Sequence, residues 1–113
     1  MSETIFSKII NREIPADIIY EDDIALAFSD INPQAPVHFL VIPKKHIATL
    51  QDVTEADRAL LGHMLFIGQQ LAVEQGCSQG FRTVFNCHEH GGQTVYHIHL
   101  HVLGKRQLSW PPG

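Results

Sequence analysis

Apolar residues along this chain change their spacing from one segment to the next, and the spacing predicts the elements. Near the C-terminus, Tyr96-His97-Ile98-His99-Leu100-His101-Val102-Leu103 alternates histidine with an aliphatic residue three times. An extended strand sends successive side chains to opposite faces. Ile98, Leu100 and Val102 should therefore share a buried face, with His97, His99 and His101 together on the other. Residues 4–11 read as a short helix, because Ile5 and Ile9, and Phe6 and Ile10, stand at helical spacing, and Pro15 bars any continuation. Residues 18–21 and 24–28 flank Asp22-Asp23 as a hairpin. Residues 37–42 are apolar on both faces apart from His38, which predicts a central strand ended by Pro43.

A long helix follows. Thr54 is the expected N-cap, Leu60, Leu61, Met64, Leu65, Ile67, Leu71 and Ala72 recur at helical spacing, and Gly76 suits the position just past the end. Residues 81–87 form a fourth strand, 88–93 a glycine-bearing turn and 94–103 the fifth strand. The expected fold is α+β: five antiparallel strands with two helices on one side, a single domain over residues 1–113.

Charge narrows the function. There are 8 basic against 12 acidic residues and no basic stripe, which argues against a reader of nucleic-acid backbone. A small anion stays possible, because local donors can hold it whatever the net charge. Cys77 and Cys87 are two in number, and no signal peptide is evident, so free thiols in a reducing cytoplasm are expected. No apolar run approaches the ~20 residues of a membrane span.

The histidine strand admits three readings: a wet polar face, a metal site using His-x-His with a further ligand, or chemistry in which the central imidazole attacks a phosphoryl group while its neighbours orient it. Other residues favour the last. Gly91-Gly92-Gln93-Thr94 runs into the strand, where glycine lets backbone N–H groups approach an anion and Thr94 adds a hydroxyl. Asn86 could bring an amide to the same loop. Asp30, in the proline loop 30–36, could accept from a sugar diol or simply cap its own loop. His38 sits in an otherwise apolar strand.

These residues resemble the histidine triad (HIT) family, whose motif stands here as His97-Ile98-His99-Leu100-His101-Val102-Leu103. Residues 4–10, 14–16, 21–23, 30–36 and 42–47 and the tail Trp110-Pro111-Pro112-Gly113 resemble the Hint branch, the histidine triad nucleotide-binding proteins. The uridylyltransferase branch typically carries glutamine where His101 stands. The resemblance implies a cytoplasmic purine nucleoside phosphoramidase that needs no cofactor and turns nucleoside 5′-phosphoramidates into AMP or GMP and an amine. It implies His99 as nucleophile, His101 on phosphate oxygen, and His97 and His38 orienting His99. It also implies Thr94 near the leaving amine, the backbone of Gly92 and Gln93 beside phosphate, and Asp30 on the ribose. Phe6, Ile9, Phe28, Ile31 and Leu40 would form the base slot, and Asn86 would add a polar contact. The expected partners are a purine nucleotide and a second copy of the chain, the sheet continuing across a homodimer and the tail reaching toward the partner's site. Thr94 replaces a common serine, Lys105 a common glycine, and His88 and His90 are additional imidazoles. A nucleotide-binding sensor with incidental turnover and a zinc-binding protein are the alternatives.

Overall fold

In the computed structural model, which describes residues 3–113, five strands form one antiparallel sheet. They are β1 (Ile18–Glu21), β2 (Ala25–Ser29), β3 (Val37–Pro43), β4 (Phe81–Phe85) and β5 (Leu100–Gly104), in the order β1-β2-β3-β5-β4. β3 is central and buried along its whole length, as its two apolar faces require. Asp22 closes the β1–β2 hairpin by accepting the N–H groups of Ile24 and Ala25, both at 2.7 Å.

Helix α1 (Ile5–Ile10) starts at Thr4, which accepts the Phe6 and Ser7 amides while Ser7 accepts the Thr4 amide. Helix α2 (Arg58–Glu74) follows a single 3-10 turn at Glu55–Asp57, with Asp57 accepting the Thr54 N–H. Gly76, at φ 94°, takes the left-handed conformation past its end. Its N–H reaches the Val73 carbonyl, and that of Cys77 reaches Ala72.

Three features differ from the sequence reading. The two helices do not share a side of the sheet. α2 covers one face, packing Met64, Ile67, Leu71 and Ala72 on Phe39, Val41, Ile98, Leu100 and Val102. α1 covers the other, setting Phe6 and Ile9 on Leu26, Phe28, Leu40 and Ile42. β3 can serve both because its side chains alternate. Secondly, residues 88–93 are not only a turn: a third, one-turn helix, α3 (His88–Gly91), ends at Gly92 with φ 80°. Thirdly, the final strand begins at Leu100, so His97 and His99 precede the ladder. The alternation of faces still holds through them, because Ile98 joins Leu100 and Val102 in the α2 core. Both cysteines are free, Cys77 buried and Cys87 half-buried. No helix among the described residues is long and apolar enough to cross a membrane.

Candidate active site

The α1 face of the sheet carries a cleft of about 270 Å³, lined by residues of α1, the following Ile14-Pro15-Ala16 segment, β2, β3 and the approach to β5. Among the sequence-expected residues it brings together Phe6, Ile9, Phe28, Asp30, Ile31, Leu40, Thr94, His99 and His101. The wall is mostly apolar, with Phe6 edge-on to Phe28 at 5.5 Å and to His99 at 4.9 Å between ring centres. A larger hollow of about 680 Å³, lined by residues 76–82 and 105–108, shares no residue with this cleft and holds no histidine.

The imidazole hydrogen bonds fix the tautomers. A carbonyl oxygen only accepts, so a ring nitrogen facing one must carry the proton. His99 Nδ1 lies 2.8 Å from the His97 carbonyl and therefore donates. His97 Nε2 lies 2.8 Å from the Pro43 carbonyl and donates likewise. His38 works in the opposite sense. Its Nδ1 accepts the backbone N–H of Gln34 at 3.0 Å, which puts the proton on Nε2. That Nε2 donates to His101 Nδ1 at 3.0 Å, and His101 must then carry its proton on Nε2. His97 Nδ1 is the one buried side-chain polar atom left without a partner among the described residues. His99 Nε2 and His101 Nε2, which have no internal partner either, are thus open to the cleft, the first with a lone pair and the second with a proton.

These assignments need neutral rings, and burial supplies them. Desolvation pushes His38, His97, His99 and His101 all below the ordinary histidine value. His101 falls furthest, to about 4, because His99 and His38 add to the effect of burial. The Asp30 carboxylate works against the shift at His38, His99 and His101.

Five expected residues sit elsewhere or act differently. His38 does not line the cleft and bonds His101, not the His99 it was expected to orient. His97 is fully buried beneath the cleft and touches it only through its carbonyl's hold on His99. Asn86 lies one residue past β4, against Gly91, and does not line the cleft. Gly92 and Gln93 do not line it either, and their N–H groups are spent on the Glu89 and His88 carbonyls at the end of α3. The Gln93 side chain is a brace: it donates to Ala48 and Val95 and accepts from His88 N–H. Across residues 92–95 it is instead the amides of Thr94 and Val95 that make no internal hydrogen bond, and both residues line the cleft. Asp30 takes the capping role weighed for it: Oδ1 accepts the Asn32 N–H at 2.8 Å, while Oδ2 makes no hydrogen bond and lies 3.4 Å from His38 Nε2.

Sequence reasoning missed Ile5, Ile14, Pro15, Ala16, Ser29 and Val95 in the lining, and His46, whose ring packs edge-on to His97 at 5.2 Å. Apolar residues in the irregular segment after α1 were the available signal. On His97 and His99 the zinc reading would have to use His97 Nδ1 and His99 Nε2, the nitrogens that do not donate to carbonyls, and the first of these is sealed in the interior. The described Asp, Glu, His and Cys side chains converge in one group, Asp30, His38 and His101, and neither His88 nor His90 belongs to it.

Comparison with known proteins agrees along the chain. A family model described as "Scavenger mRNA decapping enzyme C-term binding" matches residues 3–110. An uncharacterized HIT-like protein of Synechococcus elongatus is 60% identical over 114 residues, covering 100% of both chains. The crystal structure of a HIT family hydrolase from Legionella pneumophila superposes with a TM-score of 0.96 at 54% identity, covering 98% of this chain and 100% of that one. A histidine triad protein from Clostridium difficile gives 0.91 at 44%, covering 96% and 97%.

Proposed function

This chain belongs to the histidine triad family, and from that premise we propose that it is a purine nucleoside phosphoramidase. It would hydrolyse the P–N bond of nucleoside 5′-phosphoramidates through a nucleotidyl-histidine. The observation that carries this reading is the hydrogen bond from His99 Nδ1 to the His97 carbonyl, which leaves a neutral ring with its Nε2 lone pair at the cleft. An imidazole held that way is a nucleophile needing no separate base. A HIT hydrolase among its close structural relatives fits the same class of reaction.

In this reaction His99 Nε2 attacks phosphorus as the P–N bond breaks. The bond's electron pair leaves with the amine, which takes a proton relayed from solvent by the Thr94 hydroxyl. Water then attacks the nucleotidyl-His99 and gives a proton back to solvent, releasing AMP or GMP and restoring the lone pair. His101 Nε2–H and the Thr94 and Val95 amides face the charge gathering on the phosphoryl oxygens. Asp30 Oδ2 accepts from the ribose hydroxyls. Phe6, Ile9, Phe28, Ile31 and Leu40 take the base, for which an apolar slot is suited. That the base is a purine rests on the resemblance to the Hint branch. His38 and His97 are positioning residues, setting the tautomer and orientation of His101 and His99.

We also propose a homodimer joined along β4. β4 ends the sheet with one side unpaired, a row of free backbone groups that seeks a partner. Leu65, Phe66 and Val73 on α2, and Phe81 on β4, are exposed. Trp110 is 82% exposed and packs little on its own chain, while Arg82 holds the tail to β4 through the Ser109 carbonyl at 2.8 Å. A second copy would cover this surface.

The test is turnover of adenosine 5′-phosphoramidate, with AMP as product and an adenylate on His99 trapped by rapid alkaline quench, since N-linked phosphoryl histidine is acid-labile, and located by mass spectrometry. Tight AMP binding with no hydrolysis would instead make the protein a nucleotide sensor.

A further inference from the structure

Asp30, His38 and His101 gather three ligand-type atoms beside the cleft, two of them joined by the His38–His101 hydrogen bond. With Oδ1 of Asp30 engaged by the Asn32 amide, Oδ2 lies 3.4 Å from His38 Nε2, and that nitrogen lies 3.0 Å from His101 Nδ1. All three atoms fall within 4.8 Å of one another. Two donors on a tetrahedral zinc ion, each about 2.0–2.1 Å from the metal, stand about 3.3 Å apart. The two measured separations match that edge to within a few tenths of an ångström. Two imidazoles and one carboxylate form a donor set suited to zinc, cobalt or nickel and ill suited to magnesium or calcium, and Asp30 and His101 line the cleft.

We propose that Asp30, His38 and His101 form an inhibitory site for a divalent transition-metal ion of the zinc class. The metal binding stands on the geometry alone, whereas the inhibition rests on the phosphoramidase reading. A metal there takes the Asp30 oxygen assigned to the ribose and pulls His101 out of the hydrogen bond that sets its tautomer. Binding has a cost built into the fold. To ligate through Nε2, His38 must move its proton to Nδ1, and the Gln34 amide then loses its acceptor. Gln34 is exposed, so water can replace that bond. The site is therefore weaker than a dedicated structural zinc site, and reversible.

Cobalt titration of untagged protein tests this without substrate, by calorimetry and by the visible absorption of tetrahedral cobalt. One ion per chain is expected, displaced by zinc but not by magnesium, and weakened by AMP. Asp30→Asn, at a half-exposed loop position and so safe for folding, should weaken cobalt at least ~10-fold, as loss of even an outer-shell partner does. His38→Phe, checked for folding by circular dichroism, should abolish the tetrahedral signal. A His88→Asn, His90→Asn double variant should leave it unchanged. Absence of a tetrahedral signal, its survival in both Asp30→Asn and His38→Phe, its loss in the His88/His90 variant, or indifference to AMP in protein shown by calorimetry to bind AMP would overturn the proposal. Failure of phosphoramidate turnover with an intact cobalt titration would instead overturn the enzyme reading and leave the metal site standing.

Discussion

Replacing His38 separates a residue that positions from one that reacts. Its side chain passes a hydrogen-bond direction across the sheet, taking the Gln34 amide on Nδ1 and donating from Nε2 to His101. His38→Ala removes the donor that keeps the His101 proton on Nε2. One net hydrogen bond is worth about 1 kcal/mol, with a range of roughly 0.5–1.5. The Gln34 amide is near solvent and costs little more. If the bond's whole worth lies in the tautomer presented to phosphate, kcat/KM should fall by about a factor of 2–13. His38→Gln keeps a donor at the Nε2 position and should recover most of the loss. The pH profile should move as well: His38 is one of the groups that hold His101 low and Asp30 pulls it up, so the His101 value rises in His38→Ala. The assay is steady-state hydrolysis of adenosine 5′-phosphoramidate across pH, with His101 followed by NMR. A loss of several orders of magnitude, as for a nucleophile, would mean that His38 touches the reacting group. No loss at all would mean that the His101 tautomer is set by something other than His38.

His99→Ala should lower turnover by several orders of magnitude while AMP affinity, measured by calorimetry, largely survives; substantial residual activity would remove His99 as nucleophile. Activity should persist in acid to below the ordinary histidine value of about 6.5, because burial delays protonation of His99, and an acid limb at or above that value would contradict the buried neutral ring. Stability has a matching sign. His38, His97, His99 and His101 bind protons less readily folded than unfolded, so stability is whole above about pH 6.5 and falls as the unfolded chain protonates first. Each ring contributes a slope of at most ~1.4 kcal/mol per pH unit, and the His101 contribution continues down to about pH 4. Urea midpoints at successive pH values would read this, and a midpoint flat between neutrality and that pH would refute it. Sedimentation should give a dimer at micromolar protein, and deleting Trp110 to Gly113 should change amine preference more than AMP affinity; a monomer, or an unaltered preference, would count against the proposed assembly.

The sequence by itself determined what depends on neighbours in the chain. The two-residue period of Ile98, Leu100 and Val102 placed the core face correctly even where no ladder bonds form, because an extended backbone alternates its side chains with or without a partner strand. Thr4 and Gly76 marked helix ends for equally local reasons, whereas the expected N-cap Thr54 precedes a 3-10 turn and Asp57 stands at the start of α2. The gathering of Asp30, Thr94 and the triad into one site was read through a resemblance carried by contiguous motifs. Tertiary structure alone decided the rest. α1 crossed to the face opposite α2 because both faces of β3 are apolar and both must be covered. The amides of Gly92 and Gln93 were consumed by a one-turn helix that the glycines concealed, which moved the open donors to Thr94 and Val95. The proton positions on the histidines were decided at long range, with the Pro43 carbonyl 54 residues from His97 and His38 63 residues from His101. Imidazole is nearly symmetric as a donor and acceptor, so a sequence can place the ring, but only the group lying opposite each nitrogen in the folded chain decides which one attacks and which one donates.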